Sequence, residues 1–176
     1  MAMPSSTLAR RIQDLSPELE RVYADIHAHP ELSMQETRTA RVAADRLRGA
    51  GYEVTEGVGN TGVVGLLHNG DGPTVMLRAD MDALPVREQT GLPYASTQRV
   101  TDSTGKTVPV MHACGHDMHV AWLVGAATLM AETRDAWKGT LMPVFRFAPV
   151  LHPTLESGVA AMMVASHAWL GRESDT

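Results

Sequence analysis

Apolar and polar positions along the chain follow two periods, and the change from one to the other divides it. Ser16-Pro17 reads as a helix start, with a hydroxyl able to cap free amides and a proline at the first helical position, where its missing N–H costs nothing. Leu19, Val22, Tyr23 and Ile26 then share one face. A second start is predicted at Ser33, with Glu36 three residues later as a capping box and Ala40, Ala43, Ala44 and Leu47 as the apolar face that ends at Gly49 and Gly51. From Tyr52 the period shortens. Tyr52–Thr55, Thr61–His68 and Thr74–Asp80 read as three strands separated by glycine-rich turns. Arg87–Val110 is polar and carries Gly91, Pro93, Gly105 and Pro109, which predicts a long loop with at most a short strand. Val120, Leu123, Val124, Ala127 and Met130 mark a further helix, Leu141–Phe147 a strand, and Ser157–Leu170 a weaker helical candidate. Helices before and after a set of buried strands predict an α/β layered domain.

Composition narrows the classes. A chain of 176 residues with 44% hydrophobic and 20% charged residues is long enough for one domain with a real core, which excludes disordered, collagenous and coiled-coil chains. Fifteen Lys and Arg against 20 Asp and Glu leave a net charge of −5 with no long run of either sign, so neither nucleic acid nor a charged membrane surface is an expected partner. Met1–Arg11 lacks the apolar core of a secretory signal, and Val120–Ala131, the longest apolar stretch, is well short of the roughly 20 residues of a membrane span. Cys114 is the single cysteine and cannot form an intrachain disulfide, which favours a cytoplasmic protein. The eleven methionines show no repeated spacing and read as core filling.

Gly57-Val-Gly59-Asn-Thr-Gly62 matches the dinucleotide pattern G-x-G-x-x-G, with Asp80 and Asp82 about 20 residues on. That site requires a helix to begin at the third glycine, so that its free amides face the pyrophosphate. Val63, Val64, Leu66 and Leu67 are strand formers instead, and the motif is predicted to be a tight hairpin turn.

Candidate chemistry concentrates in Met111-His-Ala-Cys-Gly-His-Asp-Met-His119, where His112, His116 and His119 flank Cys114 ahead of an apolar helix. A thiolate and an imidazole two residues apart reach one metal if the chain turns between them, and Gly115 gives that turn its freedom. The helix dipole would stabilise the thiolate. Asp117 is positioned to cap the helix or to hold the ring of a ligating histidine. The bland alternative is a buried structural cysteine beside solvent-facing histidines. Asp80 and Asp82 end a strand at alternate positions, so only one of them should face such a site; a solvated acidic loop paired with Arg78 or Arg87 is the other reading.

Three motifs in register carry a resemblance: Leu77-Arg-Ala-Asp-Met-Asp-Ala-Leu-Pro85, Glu88-Gln-Thr-Gly-Leu-Pro-Tyr-Ala-Ser96, and His112-Ala-Cys-Gly-His-Asp-Met-His119. With His29-Pro-Glu-Leu-Ser33, Glu36, Thr39 and the glycines at 57–62, residues 16–145 resemble the aminoacylase, hippurate hydrolase and auxin-conjugate amidohydrolase group of dinuclear-metal peptidases. The resemblance implies a layered α/β/α domain with a mixed, mainly parallel sheet. It also implies metal-dependent hydrolysis of the amide bond of small N-acyl amino acids, with two divalent ions, zinc or manganese first. Carried over by motif, Cys114 would be the bridging thiolate, His116 a ligand to one ion and Asp82 a supporting carboxylate.

The pattern breaks after the strand at Leu141. Members of the family follow it with Phe-Gln-Pro-Ala-Glu-Glu, the first Glu being the general base and the second a ligand, whereas this chain reads Phe145-Arg-Phe-Ala-Pro-Val150. No general base is found, and His152, Glu156 and His167 read more simply as loop or surface residues than as substitutes. Similarity resumes weakly at Gly158–Met162, and family members are about twice as long. The expectation is therefore that residues 1–176 are the N-terminal portion of a catalytic domain, divergent over 146–176 and without the lid and dimerisation domain, with hydrolysis impaired or lost. The alternative is a non-catalytic metal-binding or interaction module, and an uncovered sheet edge would invite a homo-oligomer.

Overall fold

A computed structural model describes residues 5–146, with side chains from residue 7. The predicted helix over 157–170, and His152, Glu156, His167, Pro149 and Val150, lie outside the described residues. The elements run α1 (Ser5–Ala28), α2 (Thr37–Gly49), β1 (Glu53–Val58), β2 (Gly62–Asn69), β3 (Thr74–Asp80), β4 (Arg99–Thr101), β5 (Thr107–Pro109), α3 (His116–Glu132) and β6 (Gly139–Arg146).

Both helix starts read from local capping signals are corrected. α1 begins at Ser5 and carries Pro17 inside it, and the Ser16 hydroxyl donates back to the carbonyl of Ile12 at 2.8 Å rather than capping new amides. The first turns are tied to α3 by Arg11, which pairs with Glu132 at 2.8 Å. α2 starts at Thr37, and Glu36 makes no cap hydrogen bond. Its free amides at Arg38 and Thr39 donate to the Glu31 carboxylate at 2.9 and 2.8 Å, an anion placed against the positive end of the helix. Glu36 turns inward and accepts from the Thr61 hydroxyl at 2.6 Å.

The strands fall where the period predicts. The main sheet has the order β1-β2-β6-β3; β1 with β2 and β2 with β6 are antiparallel, and β3 with β6 is parallel. The sheet is mixed as expected, though among the described residues the parallel pairing is the minority: the glycine motif makes a hairpin, and the only crossover inside 5–146 is the one through α3 that returns the chain beside β3. At the hairpin, Gly57 is a bulge residue with φ +77°, and a side chain at Gly62 would stand 2.3 Å from the carbonyl oxygen of Val58. The glycines serve a turn, as predicted.

The helices pack on one face of the sheet. Leu141, Pro143 and Phe145 of β6 alternate inward and meet Val63 and Leu67 of β2, Val22 and Ile26 of α1, Ala43 and Leu47 of α2, and Val120 and Val124 of α3. The second helical layer of the expected three-layer sandwich is not among the described residues. Among the described residues β3 stands at an edge of the sheet, where Val75 and Met76 are 50% and 48% exposed. The 87–110 segment holds two short strands where at most one was expected. β4 and β5 form a hairpin closed by Asp102, whose carboxylate accepts from the amides of Thr104 and Lys106. This hairpin buries Val108 and Val110 against Leu32 and Ala83. No helix among the described residues is long and apolar enough to cross a membrane.

Candidate metal centre

The cluster singled out in the sequence sits where β3 ends and α3 begins. Leu84 and Met111 exchange backbone hydrogen bonds at 3.0 Å, which brings the segment after β3 beside the one entering α3. Gly115 follows with φ +77° and ψ 20°, a left-handed residue at the helix N-cap that a side chain would strain. That turn leaves Cys114 exposed and starts α3 at His116. Cysteine and histidine are therefore not sealed in hydrocarbon, which removes the reading of Cys114 as a buried structural thiol.

The two aspartates part as expected but for a different reason: positions two apart on a strand share a face, and they separate because β3 ends at Asp80, leaving Asp82 beyond the strand. Asp80 pairs with Arg78, two residues back on its own strand. Asp82 is buried, and it is the one that meets the cluster: the His116 Nδ1 lies 2.8 Å from the Asp82 carbonyl oxygen and 3.2 Å from its carboxylate. Both partners are acceptors, so Nδ1 carries a hydrogen, and in the neutral ring Nε2 keeps its lone pair. This is the tautomer in which a histidine ligates through Nε2 while a carboxylate and a carbonyl hold its other side.

The remaining residues of the cluster divide. Asp117 caps α3 locally, accepting from the Met118 amide at 2.9 Å, but the ring it holds belongs to His27 of α1, at 2.6 Å, and not to His116. His112 is buried with neither ring nitrogen hydrogen-bonded, and burial, more than its charged neighbours, brings its pKa down to about 4, so the ring is neutral. His119 is exposed, its ring 5.6 Å from that of His116 and 5.5 Å from the exposed Trp122. Glu36 lies behind the cluster; burial above all, and then the charge of Asp82, raises its pKa.

In donor chemistry, Cys114 and His116 suit a divalent ion: a thiol two residues from an imidazole whose Nδ1 is already held by Asp82. They supply two donors. Among the described residues no group of three or more His, Cys, Asp and Glu is gathered to hold a metal, so the set is incomplete within 5–146. Of the polar interior residues, His27 went unmarked in the sequence, while Glu36 was read there as a helix cap and Glu88 only as part of a motif. The available signal was small: His27 follows Tyr23 by four positions on the apolar side of its helix, and Glu36 is a carboxylate beside the apolar face of α2.

The Asp82–His116 contact thus lies just past the end of a sheet strand, where α/β domains place their ligand sites. Residues 76–148 match the model of peptidase family M20/M25/M40, and the chain belongs to that family. It is 42% identical over 158 residues to thermostable carboxypeptidase 1 of Saccharolobus solfataricus, an alignment that covers 85% of this chain and 37% of that protein. It is 46% identical over 126 residues to the hippurate hydrolase of Campylobacter jejuni, with 71% and 30% covered. A solved structure of a dinuclear metal binding peptidase of the M20 family from Bacillus subtilis superposes with a TM-score of 0.69 at 36% identity, over 84% of this chain and 40% of that one. The chain thus spans less than half the length of each of these relatives. The family resemblance drawn from the motifs is borne out, and the relatives are hydrolases of amide bonds.

Proposed function

We propose that this chain carries part of the metal site of an amidohydrolase that cleaves the amide bond of small N-acyl amino acids, releasing a carboxylic acid and an amino acid. The observation that carries the reading is the Asp82–His116 contact beside the exposed Cys114. Cys114 and His116 would hold a divalent ion, zinc or manganese first, and Asp82 is the supporting carboxylate that keeps the His116 ring in its ligating tautomer. Such an ion, when bound, polarises a carbonyl and lowers the pKa of water. The name of the hippurate hydrolase supports an N-acyl amino acid, since hippurate is N-benzoylglycine.

Residues 1–176 correspond, in this reading, to the N-terminal portion of the catalytic domain. The family's Glu-Glu pair is replaced in sequence by Pro149 and Val150, neither of which accepts a proton or binds a cation, so hydrolysis by this chain is impaired or lost while the two metal donors persist. The test is release of glycine from N-benzoylglycine with zinc or manganese present. Turnover is expected to be weak or absent, and whatever is measured should vanish in Cys114→Ala; turnover that survives this substitution overturns the assignment.

A second reading follows from β3, an edge strand with Val75 and Met76 half exposed: a non-catalytic metal-binding module that pairs with a second copy of the chain through that edge. Sizing chromatography of the full chain should then show a dimer, and a clean monomer counts against it. A single thiol offered to a metal suits a reducing compartment, and we assign the protein to the cytoplasm.

A further inference from the structure

Near the end of α1 the side chain of His27 is 5% exposed, and both of its ring nitrogens face carboxylate oxygens. Nδ1 lies 2.6 Å from Asp117 Oδ2, and Nε2 lies 3.0 Å from Glu88 Oε1. The two carboxylate side chains are shut away as well, at 1% and 0% exposure. An ionised carboxylate only accepts hydrogen bonds, and a neutral imidazole carries a single N–H. Two carboxylates on opposite sides of one ring therefore call for hydrogen on both nitrogens, which is the imidazolium.

The surroundings of the ring agree with a cation there. Tyr23 of α1 and Tyr94 of the 87–98 segment flank it, with ring centroids 5.5 and 5.4 Å away. His112, from the segment entering α3, feels the His27 charge, which adds to burial in holding its own pKa down. Among the described residues His27 is the one cation in an ion pair with Asp117 or Glu88, so removing its charge would leave two buried anions facing one space. Each partner is also committed to its own segment. Asp117 accepts from the Met118 amide in the first turn of α3, and Glu88 accepts from the Ser96 amide and the Thr90 hydroxyl, both at 2.5 Å. The imidazolium thus joins its own helix to two stretches that are 61 and 90 residues from it in sequence.

Asp117 follows His116 directly, and Glu88 lies on the segment that leaves Asp82. We propose that His27 is a positioning residue for the metal donors: bridging Asp117 and Glu88, it fixes the first turn of α3 against the segment after β3 and so keeps the His116 ring on Asp82. The inference rests on the metal reading given above. His27 touches neither donor and acts through Asp117 and Glu88. Losing it frees the first turn of α3, on which His116 sits, and the expected cost is that of disturbing an outer-shell support, about tenfold or more in metal affinity.

The test uses the full chain and cobalt(II) as the probe. Nitrogen-15 spectra of the histidine rings, with His27 assigned by its disappearance in His27→Gln, should show hydrogen on both His27 nitrogens at pH 7 without metal. A single protonated nitrogen overturns the bridge. Cobalt titration followed by the thiolate absorption of Cys114 should give an affinity at least about tenfold weaker in His27→Gln than in the wild type, at unchanged far-ultraviolet circular dichroism. Glu88→Gln, which keeps the ring and removes one anion, should weaken it less. Equal cobalt affinity in wild type and His27→Gln overturns the positioning role while leaving the metal reading standing. Failure of the wild type itself to bind cobalt overturns the metal reading and the positioning role together. If His27→Gln does not fold, the Glu88→Gln titration decides the matter: cobalt affinity equal to that of the wild type then overturns the positioning role.

Discussion

Beneath the middle of the sheet, Ile26, Leu47, Val63, Leu67 and Phe145 fill the space between layers with hydrocarbon, whereas past the end of β3 the same helices and strands enclose His27, Glu36, Asp82, His112 and Asp117. The first interior is held by area removed from water and is indifferent to which apolar neighbour supplies it. The second survives only because most of its charges and donors find partners, and each partner fixes a direction as well as an energy. Stability resides mainly in the first and geometry in the second. Substitutions that separate these two contributions are the way to break the comparison.

The largest effect should come from the apolar side. Phe145→Ala removes a fully buried ring and should cost about 3 to 5 kcal/mol in denaturant unfolding. A loss below about 1 kcal/mol, outside the range for such cavities, would mean that the sheet does not rest on the helices as described. On the polar side, Asp117→Ala should cost about 3 kcal/mol, because it leaves the His27 cation facing Glu88 alone and the Met118 amide uncapped. Its distinguishing sign is that cobalt affinity falls with stability, while Phe145→Ala should spare the affinity of the molecules that remain folded.

Acid and base sharpen the contrast, since the apolar interior does not titrate. For His27, burial lowers the ring pKa, but the hydrogen bonds to Glu88 and Asp117 outweigh it and leave it above the ordinary 6.5. The stability that His27 contributes is therefore fully present below about pH 6.5 and is lost as pH rises through the folded value. Glu88 has the opposite sense: burial raises its pKa, yet Thr90, His27 and the Ser96 amide bring it below 4.5, so its share is present above that pH and is lost as acid reaches the folded value. The gap in unfolding free energy between wild type and His27→Gln should be widest between these limits and narrow on both sides, by at most about 1.4 kcal/mol per pH unit. A gap that stays constant from pH 4 to 9, a range chosen at roughly ±2 units about these ordinary values, would contradict an imidazolium bridge. The smallest effect expected is that of Glu31→Ala, about 1 kcal/mol in thermal unfolding, for loss of the carboxylate at the start of α2.

The two interiors were not equally legible in the sequence. Leu141, Pro143 and Phe145 alternate as a strand must, and Ala40, Ala43, Ala44 and Leu47 repeat as a helix must, so the apolar side follows from period alone. The glycines at 57–62 were readable because strand formers follow them at once. Helix starts were misread where a distant or unforeseen group did the work. Ser16-Pro17 looks like a beginning, yet α1 extends twelve residues further toward the N-terminus of the chain, and the Ser33/Glu36 box yields to Glu31 because Glu36 is drawn inward by Thr61. The polar side was hidden for the same reason on a larger scale. His116 and Asp82 are 34 residues apart, His27 and Glu88 61, and His27 and Asp117 90, and no local pattern encodes partners at such separations. Cys114 and His116 were visible because two donors and a left-handed glycine lie within three residues.

The claim at the centre of this account is that Cys114 and His116, with the ring held by Asp82, bind a divalent ion, and titration of the thiol-reduced, metal-free chain with cobalt(II) tests it most directly. An ultraviolet thiolate-to-cobalt band is expected that saturates, disappears in Cys114→Ala, and needs a much higher cobalt concentration in His116→Ala. Cobalt that binds with no such band, or a band that His116→Ala leaves unchanged, would contradict it.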